Sequence, residues 1–167
     1  MAKITLKGNP CNTSGDLPVV GSQAPNFKLI AGDLSEKTLA DFSGKKIVLN
    51  VVPSLDTPVC AISAKAFNEK IAENSRVQVV NVSKDLPFAQ KRFCESNQVA
   101  HVSNLSAFRN DQFGKDFGVT IVDGPLTGLL ARAVVVVNEQ GKVVYTELVP
   151  EIAQEPNYDA ALKAASL

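Results

Sequence analysis

One histidine, one methionine and three cysteines are present among 167 residues, and tryptophan is absent. His101 has no histidine partner, and Cys11, Cys60 and Cys94 are scattered, with no Cys-x-x-Cys among them. Structural zinc sites bring their ligands in short-range pairs, so a zinc module built from these four residues is disfavoured. The adjacent dithiol of a thioredoxin-type oxidoreductase is missing altogether. Neither sign of charge is in excess: 17 basic and 17 acidic residues cancel, which removes the electrostatic footprint of a protein that binds nucleic acid or an anionic membrane. No apolar run is long enough to cross a bilayer, and Met1 to Lys7 lacks the hydrophobic stretch of a secretory signal, so the expected location is cytoplasmic. In that reducing compartment a structural disulfide is disfavoured, and a cysteine pair that oxidises is expected to do so transiently, in catalysis. No Gly-x-Gly-x-x-Gly follows a strand-like run, so no flavin or nicotinamide cofactor is expected, and electrons for a redox cycle have to come from a partner protein.

What is present suits a single α/β domain spanning 1–167. Hydrophobic residues make up 45% of the chain, and a chain of this size buries roughly two thirds of its unfolded surface. A hairpin-like segment, Ile4 to Thr13, precedes a loop rich in Gly, Pro and Asp. The pattern then alternates: strand Lys46 to Val52, helix Pro58 to about Asn74, strand Val77 to Val82, helix Leu86 to Ser96. This βαβα series implies parallel strands with helices packed on the sheet. Asn110 to Phe117 reads as a short helix, Ala133 to Asn138 and Val143 to Leu148 as an antiparallel hairpin around Glu139 to Lys142, and Asn157 to Ala165 as a closing helix. A βαβ half followed by a ββα half is the thioredoxin-like arrangement, a central mixed sheet flanked by helices, here with a short N-terminal β-hairpin added. No repeat, low-complexity tract or second domain interrupts it.

The most informative stretch is Pro53-Ser-Leu-Asp-Thr-Pro-Val-Cys60. Lys46 to Val52 is apolar and β-branched with almost no alternation, as a strand covered on both faces requires, and Pro53 ends it. Thr57 is an acceptable N-cap and Pro58 suits a first helical position, so Cys60 falls in the first turn. There a sulfur faces unpaired backbone N–H groups and the positive end of the helix dipole, and its charged form is favoured. The same cysteine also fits a small core position, because Cys60, Ala64, Phe67 and Ile71 share one apolar face.

Pro53, Thr57 and Cys60 match the Pro-x-x-x-Thr-x-x-Cys signature, and the chain resembles the peroxiredoxin family. Asp85 to Cys94, Ser106 to Asn110 and Asp123 to Val137 are similar to its bacterial thiol peroxidase branch, so the resemblance spans nearly the whole chain. It implies that Cys60 is the peroxidatic cysteine and Cys94 the resolving one. It further implies that hydrogen peroxide and alkyl hydroperoxides are reduced through an intramolecular Cys60–Cys94 disulfide, that thioredoxin restores the dithiol, and that the protein is a homodimer. Pro53 and Thr57 belong to the implied catalytic set.

Cleavage of a peroxide O–O bond needs an ionised sulfur and donors for the charge that moves onto the departing oxygen. The Thr57 hydroxyl, one turn before Cys60, is a candidate donor. Arg132 is the candidate guanidinium: it interrupts the apolar run Leu129 to Val137 at the start of a strand, where the alternative is an exposed strand-end charge. Attack leaves a sulfenic acid that condenses with a second thiol. Cys94 sits at the end of a helix whose apolar stripe is expected to be Leu86, Ala89 and Phe93. A disulfide requires Cα atoms closer than about 7 Å, so local unwinding of both helix ends is expected. Cys11, in a turn-like stretch, is read as incidental. Leu55, Val59 and Ile62 are candidates to accommodate an organic hydroperoxide tail. Two rivals remain at this stage: a Cys-His hydrolase using His101, placed in a surface loop ahead of Val102, and a thioredoxin-fold redox-sensing or interaction protein without turnover.

Overall fold

Apolar, β-branched runs bury their backbone in the middle of a sheet, and the runs beginning near positions 46, 77 and 133 do so here. The computed structural model describes residues 1–72 and 76–166, so the helix end expected at Asn74 lies outside the described residues. In chain order the elements are β1 (Lys3–Leu6), β2 (Asn9–Asn12), β3 (Lys28–Ala31), β4 (Glu36–Thr38), a 3-10 turn (Leu39–Phe42), β5 (Lys46–Val51), α1 (Pro58–Ile71), β6 (Val77–Ser83), α2 (Pro87–Asn97), β7 (Val102–Ser106), α3 (Gln112–Asp116), β8 (Ala133–Val137), β9 (Val143–Leu148) and α4 (Tyr158–Ser166). Among the described residues the strands form the β1-β2 hairpin and a sheet of order β4-β3-β7-β6-β5-β8-β9. Strands β5, β6 and β7 run parallel, and β8 and β3 join them antiparallel on either side. This is the thioredoxin-like mixed sheet expected from the sequence.

Both faces of the sheet are covered, which is why its central strands show no alternation. On one face Val48, Val52, Val79 and Val136 pack with Phe67 of α1, Phe93 of α2 and Ala161 of α4. On the other, Leu49, Val51, Val80 and Val135 pack with Ile4 of the hairpin and with Phe27, Phe42 and Phe113. The Tyr158 ring meets Phe67 edge-on at 5.0 Å, fastening α4 to α1. No helix among the described residues is long and apolar enough to cross a membrane.

Three local expectations need correction. The Gly/Pro/Asp-rich loop contains β3 and β4, an edge hairpin too short to register as a period. His101 lies in a surface loop as expected, but β7, for which no strand was expected, opens directly after it at Val102; this segment has only Val102 and Leu105 as large apolar residues, and pairing with β6 on one side and β3 on the other overrides that weak local pattern. The buried side of α2 is Pro87, Gln90 and Phe93, whereas Leu86 is the N-cap and stands exposed. Asp85, which stands just ahead of the helix, does not cap α2 and is used elsewhere.

Candidate active site

The end of β5 dictates the local path. Val52 N–H still bonds to the Val82 carbonyl at 2.9 Å, but Pro53 has no N–H to continue the ladder. Pro53 is buried, and the chain turns through Ser54 and Leu55. The Asp85 carboxylate, arriving from the end of β6, holds that turn: Ser54 Oγ donates to it at 2.6 Å and Leu55 N–H at 2.7 Å. Ser83 Oγ also donates to the carboxylate at 2.7 Å, and the Asp85 carbonyl accepts from Ser106 Oγ. Thr57 is the N-cap with Pro58 next, as expected, but its hydroxyl makes no capping bond and donates to the Ser54 carbonyl at 2.9 Å. The first-turn N–H groups of α1 are therefore not closed by a side chain. Cys60 lies in that turn, fully buried above Ala64, Phe67 and Ile71.

Strand register brings the guanidinium to the sulfur. Val51 pairs with Ala133, which sets Arg132 opposite Val52 and beside the start of α1. Arg132 is 2% exposed, so it is a buried charge and not a solvated strand end. Its Nη2 donates to Cys60 Sγ at 3.2 Å and its Nε to the Ile152 carbonyl at 2.8 Å, while Nη1 has no partner. Among the described residues no carboxylate forms an ion pair with it. Burying an unpaired guanidinium costs several kcal/mol as an order of magnitude, so the contact with sulfur carries weight beyond an ordinary hydrogen bond.

Cys94 occupies the last turn of α2, half-buried. Burial pushes its thiol up, opposed by a hydrogen bond from Asn104 Nδ2, 2.7 Å from the sulfur. Asn104, half-buried, belongs to a row of amides that runs across three strands, the other two fully buried. Asn50 Nδ2 donates to Asn81 Oδ1 at 2.8 Å, and Asn81 Nδ2 to Asn104 Oδ1 at 3.0 Å. At the other end Asn50 Nδ2 reaches Ser63 Oγ at 3.4 Å, and Ser63 Oγ donates to the Cys60 carbonyl at 3.0 Å. A groove of about 210 Å³, lined in part by Lys91, Cys94, Val99 and Asn104, opens beside the Cys94 sulfur.

The remaining candidates divide. Cys11 packs in the core on the opposite face of the sheet from Cys60, and burial pushes its thiol up, helped by Asp123 and Glu151. His101 is exposed, its N–H bonded to Asn68 Oδ1. Among the described residues no three His, Cys, Asp or Glu side chains gather around a possible metal position. Leu55 is buried in the core, whereas Val59 is half-buried and Ile62 exposed. Sequence reasoning missed Asp85, the Ile152 carbonyl and the three asparagines. The signal available for the last was a lone Asn inside each of the runs Val48 to Val52, Val79 to Ser83 and Val102 to Ser106.

Comparison with known proteins identifies the family. Residues 19–162 match the Redoxin family. A thiol peroxidase from Mycobacterium tuberculosis is 60% identical over 164 residues, 98% of each chain, and one from Corynebacterium glutamicum is 51% identical over 98% of this chain and 99% of its own. The crystal structure of a peroxiredoxin-like protein from Aquifex aeolicus superposes with a TM-score of 0.93 at 45% identity, covering 99% of this chain and 96% of that one. A buried cysteine in a first helical turn, bonded to a buried arginine on a thioredoxin-like sheet, thus occurs in a chain that belongs to the redoxin family, in its thiol peroxidase branch.

Proposed function

We propose that this chain is a thiol-dependent peroxidase that reduces hydrogen peroxide and alkyl hydroperoxides, with Cys60 as the attacking sulfur. The observation that carries this reading is the 3.2 Å contact between Arg132 Nη2 and Cys60 Sγ at the start of α1, next to an Nη1 with no partner. The Cys60 thiolate attacks one peroxide oxygen; an S–O bond forms as the O–O bond breaks, and the departing oxygen takes a proton to leave as water or alcohol. Arg132 Nη1 and the first-turn N–H groups are available to the charge moving onto oxygen. Since the Thr57 proton is engaged with the Ser54 carbonyl, its oxygen acts as acceptor for the peroxide O–H and orients it. Pro53, itself buried, interrupts the β5 ladder and starts the turn that leads into α1.

The sulfenic acid then condenses with Cys94, giving a disulfide and water. The Cys60 sulfur is bonded to Arg132, just before β8, and the Cys94 sulfur to Asn104 in β7, so the last turn of α2 and the first turn of α1 unwind for this step. Gln98 closes α2 in the left-handed conformation, φ 56°, with its N–H on the Cys94 carbonyl. A non-glycine residue there costs roughly 1–2 kcal/mol, which unwinding recovers. Family resemblance supports thioredoxin as the reductant, a homodimer and a cytoplasmic location. One equivalent of hydroperoxide added to the reduced protein should remove two thiols per chain and lower the mass by two hydrogens. Cys60→Ser should lose neither thiol, Cys94→Ser should stop at a trapped sulfenic acid, and Cys11→Ser should turn over as the wild type. Loss of no thiol in the wild type would leave the scaffold reading.

A further inference from the structure

We infer that the amide row of buried Asn50 and Asn81 and half-buried Asn104 is a latch that parks the Cys94 thiol over β7 and thereby sets how long a Cys60 sulfenic acid persists before the disulfide forms. This rests on the peroxidase reading above.

Register places the three amides side by side: Asn50 pairs with Asn81 and Asn81 with Asn104. The neighbouring row on the same face is Val48, Val79 and Val102, so an apolar row would fit there. Buried amides cost free energy unless every group is bonded, and here the Asn50 carbonyl oxygen is left without a partner. The row is thus a poor choice for stability alone. Its amides donate in one direction, from Asn50 through Asn81 and Asn104 to the Cys94 sulfur. At its other end Ser63 ties it to the carbonyl of Cys60. One hydrogen-bonded path therefore joins the turn bearing the first sulfur to the second sulfur.

Geometry fixes the sign of the effect. β7 and β5 are two strand spacings apart, roughly 9.5 Å, and Arg132, which holds Cys60, precedes the strand beyond β5. A Cys94 sulfur bonded to Asn104 cannot at the same time lie about 2.05 Å from the Cys60 sulfur. The Asn104 contact exists in the dithiol and sulfenic forms and is broken before the S–S bond forms, with the groove beside Cys94 as room for the departure. In that step Cys94 sulfur bonds to Cys60 sulfur, the S–O bond of the sulfenic acid breaks, and hydroxide leaves with the Cys94 proton as water. A second hydroperoxide competes by transferring an oxygen to the waiting sulfenic acid, giving the sulfinic acid and an alcohol. The latch favours the competitor by delaying Cys94.

The test is Asn104→Leu, close in shape but unable to donate, with Asn104→Thr, too short to reach the sulfur, as the second variant. In single-turnover mixing with stoichiometric hydroperoxide, disulfide formation should be about three- to tenfold faster than in the wild type, the range for one lost hydrogen bond. The rate constant of the preceding sulfenic step should not move, and the sulfinic fraction at excess peroxide should fall. The Cys60–Cys94 couple should become more negative, by about 30 mV for each tenfold change in equilibrium. In the variant that folds, a wild-type or slower rate of disulfide formation overturns the latch. So does a lower Tm with rate and potential unmoved, since that is the signature of a merely structural row. If the wild type forms no disulfide at all, the peroxidase reading itself has failed, an outcome distinct from either.

Discussion

Replacing Arg132 by methionine isolates the interaction on which the proposed chemistry depends. Methionine follows the aliphatic stem of arginine but supplies no donor, so three things are lost together: the bond to Cys60 Sγ at 3.2 Å, the bond to the Ile152 carbonyl at 2.8 Å and the unpartnered Nη1. Loss of one donor aimed at developing charge in a water-excluded site lowers rates by about 10²–10³, and a hydrogen bond to a charged group contributes about 1.5–3 kcal/mol, equivalent to about 10- to 160-fold, which overlaps the lower part of that range. The second-order rate constant for hydroperoxide consumption, followed by stopped-flow in a single turnover, should therefore fall at least about a hundredfold. Stability should move little, within about 2 kcal/mol, because removing a buried and incompletely satisfied charge offsets the two donors lost. Arg132→Lys should fall between, since one ammonium on a flexible stem cannot serve both acceptors in the guanidinium geometry. A folded Arg132→Met protein that consumes hydroperoxide within about threefold of the wild-type rate, far short of what loss of such a donor implies, would refute the reasoning.

Asp85→Asn keeps the shape but loses a carboxylate that accepts from Ser54, Leu55 and Ser83. It should cost about 2 kcal/mol of stability, a drop of roughly 4–8 °C in Tm, and slow peroxide consumption; an unchanged Tm and rate would show that the turn before Cys60 holds itself. Glu151 accepts from Thr5 Oγ1 and from the N–H groups of Lys7, Gly8 and Ala153, and these bonds pull its carboxyl down from the ordinary 4.5 to about 2. Its contribution to hairpin docking is thus complete above about pH 4.5 and is lost as pH falls towards about 2. Hydrogen exchange of the Thr5 and Ile152 amides should accelerate across that window, and Glu151→Gln should abolish the dependence; flat protection in the wild type would refute it.

Much of the architecture is legible in the chain for a definite reason. β5, β6 and β8 are covered on both faces, so their sequences are dominated by Val, Ile and Leu without alternation, and Pro53, Thr57, Pro58 and Cys60 mark where one strand becomes a helix. Arg132 is conspicuous because a charge amid Leu129 to Val137 needs a partner. β7 carries no such signature, since only its neighbours on either side make it a strand. The Asn104 contact with Cys94 depends on that strand's register and was out of reach with it. Asp85 looks like a helix-starting residue by position, and only the fold brings it to Ser54 and Leu55. Backbone carbonyls such as that of Ile152 have no identity in a sequence at all.

The hairpin of β1 and β2 lies outside the chemistry yet underpins it. Thr5 bonds through its backbone to Pro150 and Ile152, and the Ile152 carbonyl is what Arg132 Nε grips. Reactivity at the sulfur is therefore sensitive to whatever the amino-terminal strands are made to carry: a fused tag or a neighbouring surface that peels the hairpin away would loosen the guanidinium without touching any atom around Cys60.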